Sequence, residues 1–148
     1  MKPTIYYFSE ETQFVLRQKR KITAWLQSVI QQEAHQLDGL TFVFCSDGYL
    51  HAKNKTYLNH DTLTDILTFD YATKAKTILG DIYISIERVR DNAKQYQTKP
   101  QEELYMVMVH GLLHLLGYDD HTAADTRIMR EKERWYVAQL RHVCIPSK

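Results

Sequence analysis

The spacing of apolar positions changes several times along the chain, and each change marks an element. Between Lys19 and Leu37 they fall at Ile22, Trp25, Leu26, Val29, Ile30, Ala34 and Leu37. That spacing predicts a helix with one buried stripe, stopped by Asp38-Gly39. Short runs rich in aromatic and β-branched residues predict strands at Thr4–Phe8, Leu40–Cys45, Ile66–Tyr71 and Ile78–Ser85. Ser46-Asp47 opens a helix to about Tyr57, and Ser85, with Glu87 soon after, opens one to about Tyr96. Pro100, followed by Glu102 and Glu103, starts a helix that Gly117 closes after Leu116. Thr122 and Asp125 form a capping-box-like start for a last helix to about Leu140. Strands and helices mix without strict alternation. The expectation is an α+β fold, a small mixed sheet of about four strands packed with about five helices.

Within the Pro100 helix, Met106 to Leu116 is apolar on nearly every side except at His110 and His114, which predicts a central position for it. Two histidines four apart lie one above the other on a helix face and can grip one cation. Buried unpaired imidazoles cost free energy, and a shared metal supplies the partner both need. Gly117 lets the chain turn back, so Asp120 or His121 can serve as a third ligand. Position 111 is glycine, where a helical zinc peptidase carries the glutamate that activates water. A glycine there costs roughly 1 kcal/mol of helix propensity relative to alanine, which suits a site needing room for substrate or a neighbouring strand.

Composition narrows the class. The 148 residues, 44% hydrophobic and 25% charged, suit a single globular domain over 1–148. With 19 Lys+Arg against 18 Asp+Glu the formal charge is +1, so any polyanion must be met by a local patch rather than by overall charge. Two distant cysteines, Cys45 and Cys144, argue against a disulfide framework. The N-terminal residues lack the apolar run of a signal peptide, and no segment is apolar for long enough to span a bilayer. A cytoplasmic protein with no membrane association is expected.

The run His110-Gly111-Leu112-Leu113-His114-Leu115-Leu116-Gly117-Tyr118-Asp119-Asp120-His121 resembles the signature of the YbeY family of bacterial metal-dependent endoribonucleases. Asn54, Tyr57, Asp61, Thr64, Asp65, Leu67 and Phe69 resemble a second block of that family, and Leu79 to Ser85 a third. The resemblance implies one Zn2+ ion and hydrolysis of single-stranded RNA. It also implies a role in maturation of the 3′ end of small-subunit rRNA and in ribosome quality control, with RNA and the small ribosomal subunit as partners. The family's usual third ligand falls on Asp120, which makes the expected set His110, His114 and Asp120, with His121 the alternative. Beside His114, the expected catalytic residues are Asp65 and Asp81, orienting water or a ligand, with Asp119 a further carboxylate near the site. Leu58 stands where most members carry arginine. Lys53, Lys55 or His60 would then supply the missing cation, and Arg88, Arg90, Lys94 and Lys99 a basic patch, so that Lys53, Lys55, Arg88 and Arg90 are the expected substrate-binding residues. Tyr6, Tyr7, Tyr49, Tyr57 and Tyr118 offer stacking surfaces. Two rivals remain, a metalloprotease-like hydrolase and a non-catalytic ribosome-associated zinc module.

Overall fold

A computed structural model describes residues 5–58 and 65–142, with side chains in the first segment described through Lys55. Its elements are β1 (Ile5–Glu10), α1 (Lys19–Gln32), β2 (Gln36–Cys45), α2 (Asp47–Leu58), β3 (Ile66–Asp70), β4 (Thr77–Ser85), α3 (Ile86–Tyr96), α4 (Pro100–Leu115) and α5 (Ala123–Leu140). The expected α+β class is found, as a four-stranded mixed sheet with five helices. The strand order is β1-β2-β4-β3; β1, β2 and β4 run parallel, and β3 pairs antiparallel with β4 at the edge.

Alternation along the strands gives the sheet two different faces. Leu40, Phe42 and Phe44 of β2 and Ile78, Ile82 and Ile84 of β4 point to the main core with α1, α4 and α5. On the other face α2 covers one end, where Leu50 packs with Cys45 and Leu67. Helix α4 touches α3, α5, β3 and β4, which explains why Met108, Val109, Leu112 and Leu113 are fully buried. A Cβ at Gly111 would lie 2.8 Å from Ile66 Cδ1 and 2.9 Å from Ile82 Cγ2. The glycine is therefore spent on close approach to the sheet.

The expected caps form. Ser85 accepts from the Arg88 amide at 3.2 Å, and Thr122 accepts from the Asp125 amide at 3.0 Å. Gly117 has φ 107°, and the amides of Gly117 and Tyr118 bond to the carbonyls of His114 and Leu113, each at 3.0 Å. This is a Schellman closure, which satisfies the last carbonyls of α4 and reverses the chain.

Strand β1 runs on to Glu10, two residues past the expected Phe8, and the largest difference lies between α1 and β2. Helix α1 ends at Gln32, not Leu37, and β2 starts at Gln36, four residues before Leu40. Ala34, at φ 58°, takes the chain-reversing position that a glycine usually fills. The Asp38-Gly39 pair lies inside β2, where the register against β4 shifts between Leu37 and Gly39, a bulge rather than a helix stop. Leu37 still packs on the core, but from a strand. Among the described residues no helix is long and apolar enough to cross a membrane.

Candidate metal centre

Helix α4 brings His110 and His114 to one face with their Nε2 atoms 3.1 Å apart. The reversal at Gly117 returns the chain so that Asp120 Oδ2 lies 3.7 Å from His110 Nε2 and 3.6 Å from His114 Nε2. Asp120 is held by its backbone, whose carbonyl accepts from the Thr126 hydroxyl of α5 at 3.2 Å. One donor atom from each of the three residues lies within 4.8 Å of the others. Two imidazole nitrogens and a carboxylate oxygen at such separations form a donor set that fits a divalent cation. His121 lies apart from this set: it is 81% exposed, and its Nε2 stands 4.0 Å from Asp119.

Helix α5 supplies a group that the sequence reading did not single out. Glu133, 2% exposed, stands 2.6 Å from His110 Nδ1. An Nδ1–H donated to that carboxylate leaves the Nε2 lone pair aimed at Asp120 and His114, an arrangement that fixes the tautomer and raises ligand basicity. A sequence signal existed. Glu133 falls in register with Met129, Tyr136 and Leu140 on the buried stripe of α5, where a lone carboxylate needs a partner.

The two imidazoles are driven apart electrostatically. Burial pushes His110 down, but the bond and charge of Glu133, with the charges of Asp120 and Asp65, outweigh it and raise its pKa. His114 is lowered by burial and by the neighbouring His110, against the opposing charges of Asp120 and Asp119. Glu103, on the same side of α4, is raised by burial and then by the charge of Asp65.

These groups face an open cavity of about 570 Å³. Asp65 is on its wall, held by the Asn92 amide at 3.4 Å. So are Tyr96 and the guanidinium-bearing Arg130 and Arg134, of which Arg130 stands 3.7 Å from Glu133. The two arginines were absent from the sequence expectations because only the α4–α5 packing turns them toward the histidines.

Several expected residues are placed elsewhere. Asp81 points to the opposite sheet face, where the Tyr71 hydroxyl donates to it at 3.2 Å; its strand neighbours Gly80 and Ile82 are the buried ones that face α4. Lys53 lies over the rings of Tyr83 and Tyr49, and Lys55 is exposed on α2. Arg88 bonds Asp47 at 3.2 Å, tying α3 to α2. Arg90 lines a separate groove with Phe14 and Leu104. None of these five lines the cavity beside the histidines. His60, Asp61, Thr64 and Cys144, and the side chains of Tyr57 and Leu58, lie outside the described residues.

Fold and site together define an α+β protein in which two histidines of a largely buried helix and an aspartate of the following turn are spaced to hold a cation beside a polar cavity. The profile of the family described as Endoribonuclease YbeY matches residues 6–141. Among curated relatives, one from Amoebophilus asiaticus is 57% identical over 136 residues, covering 92% of each chain. One from Flavobacterium johnsoniae is 48% identical over 126 residues, covering 85% of this chain and 90% of the relative. Both are named Endoribonuclease YbeY. A solution structure of a Thermotoga maritima protein shares the fold, with a TM-score of 0.67 over 93% of this chain and 89% of that one at 24% identity. The chain belongs to the YbeY endoribonuclease family.

Proposed function

We propose that this chain hydrolyses phosphodiester bonds in single-stranded RNA with one zinc ion held by His110, His114 and Asp120, and that it acts in the cytoplasm in rRNA maturation at the small ribosomal subunit. The observation that carries the reading is the convergence of the three donors beside a cavity that also holds two arginines. When bound, the ion supplies Lewis acidity, acidifying water and polarising a phosphoryl oxygen. The protein's own groups do the rest. Glu133 keeps the proton on His110 Nδ1, so that Nε2 faces the site. Arg130 and Arg134 offer planar donors to phosphate oxygens, the task for which leucine at position 58 is unsuited. Asp65, on the cavity wall, is placed to orient water or to take up its proton.

Peptidase chemistry is disfavoured by Gly111, whose position is taken up by contact with the sheet and provides no base. The test is metal content and cleavage of a defined single-stranded RNA for the parent, Asp120→Ala and His121→Ala. Asp120→Ala is expected to lose both metal and cleavage, and His121→Ala to keep both. The reverse outcome makes His121 the third ligand. A parent that holds zinc but leaves RNA intact favours the structural-zinc alternative.

A further inference from the structure

Of the three donors, Asp120 is the one that no helix carries: α4 ends at Leu115 and α5 begins at Ala123. A side chain on a turn is held less precisely than one on a helix unless the turn is fastened from outside. Asp120 is 41% exposed, and Asp119 and His121 beside it are more so. Two residues upstream the turn is fastened. The Tyr118 ring packs against the core, the Lys132 ammonium stands 5.6 Å from its centre, and its hydroxyl donates to Glu33 Oε1 at 2.7 Å. Glu33 is 11% exposed and closes α1, whose Ile22, Trp25, Leu26, Val29 and Ile30 are buried. Its second oxygen, Oε2, accepts from Lys132 and Tyr136 of α5. A carboxylate 85 positions earlier in the chain is thus fixed by two helices and holds the turn with its other oxygen.

We propose that Glu33 is a positioning residue for the metal centre, acting through the Tyr118 hydroxyl to hold the turn in which Asp120 meets the two histidines. The inference rests on His110, His114 and Asp120 being the ligands. Two attachments bracket Asp120. The Thr126 hydroxyl donates to its carbonyl at 3.2 Å from the α5 side, and the Tyr118–Glu33 bond secures the α4 side. Between them Asp120 Oδ2 stands 3.7 Å and 3.6 Å from the two Nε2 atoms. A hydroxyl donated to an ionised carboxylate is among the stronger hydrogen bonds. Without it the turn has more positions open to it, and a cation must order the turn as it binds. That ordering entropy is subtracted from the affinity. Glu33 is not among the residues that line the cavity, so its hold on the ion passes through Tyr118 rather than through contact.

The test pairs two measurements on the full chain: zinc affinity by chelator competition, and the urea midpoint with zinc removed. Tyr118→Phe deletes one hydroxyl, keeps the ring on the core and should weaken zinc binding about tenfold. Tyr136→Phe deletes a hydroxyl from the same carboxylate on its α5 side. It should lower the urea midpoint yet bind zinc as the parent does. Glu33→Gln keeps a hydrogen-bonding group opposite Tyr118 whichever way its amide lies, and should stay close to parental zinc affinity although the charge is gone. Glu33→Ala should lose as much zinc affinity as Tyr118→Phe, and the double variant no more than either. If Glu33→Ala fails to fold, the two phenylalanine variants still decide. Parental zinc affinity in Tyr118→Phe overturns the proposal. So does an equal loss in Tyr136→Phe, which makes Glu33 a support of the fold alone, or a full loss in Glu33→Gln, which makes its charge the cause. In each of these cases a parent that binds zinc leaves the ligand assignment standing. A parent that binds no zinc removes both.

Discussion

A carboxylate inside a helix stripe must find a partner, and Glu133 has two, His110 Nδ1 at 2.6 Å and the Arg130 guanidinium at 3.7 Å. The shorter contact decides which ring nitrogen of His110 is left for a cation. Glu133→Ala leaves that N–H without its acceptor and lets the imidazole rotate. Zinc affinity is expected to fall about 10- to 100-fold, measured by competition with a chromophoric chelator. Glu133→Gln, whose amide oxygen still accepts from Nδ1, should lose less. Equal affinity in the parent and both variants would mean that α5 has no influence on the ligand. At this scale the sequence was informative where chemistry is local. His110 and His114 could be read from helix spacing, and the glycine turn offered Asp120 or His121 as the third donor; the choice of Asp120 rested on the family resemblance. Glu133 and the two arginines depend on how α5 lies against α4, which residue spacing within one helix does not encode.

At the scale of elements, Glu33 at the end of α1 gathers three donors. The Tyr118 hydroxyl donates to it at 2.7 Å and the Lys132 ammonium at 3.1 Å, and the Tyr136 hydroxyl donates as well. One carboxylate thus ties α1 and α5 to the turn that leads into Asp120. Burial alone would push its pKa up, but the bonds from Tyr136, Tyr118 and Lys132 outweigh it and hold the carboxyl below the ordinary 4.5. The unfolded chain therefore takes up a proton more readily than the folded one. The stabilisation is complete above the unfolded pKa and is lost as pH falls through the folded value. Urea midpoints of the parent and Glu33→Gln should differ most at neutral pH and converge in acid; a gap that persists in acid refutes this linkage. Element ends were legible where Pro100, Gly117, Ser85 and Thr122 punctuate the chain. The α1–β2 boundary was not, because Ala34 adopts a left-handed conformation that its residue type does not announce, and Leu37 fits an apolar stripe in either element. The placement of Asp81 required knowing which face of β4 is buried, and that follows only once β2 and β3 are paired on either side of it.

For the whole molecule, the site joins distant parts of the chain. His110 and His114 come from α4 and Asp120 from the turn beyond it, so a bound ion would tie α4 to that turn, while the Glu133 bond to His110 links the pair to α5. Zinc that binds only the folded chain should stabilise it by about 2.7 kcal/mol at a free concentration a hundred times its Kd. Thermal unfolding with zinc and with chelator should show the corresponding rise in Tm, and Asp120→Ala should lose most of it. A parent with the same Tm in both conditions would place the ion outside the folded core.

The Trp25 indole donates to the Tyr136 carbonyl at 2.6 Å, across 111 positions of sequence. During synthesis, a chain that has left the ribosomal tunnel only as far as α4 exposes both imidazoles, but neither Glu133 nor that carbonyl has yet emerged. Completion of the centre waits for α5 to dock beside α1. The last helix to be made therefore supplies both the partner of His110 and the anchor of Trp25, and a chain cut before α5 would lose the two together.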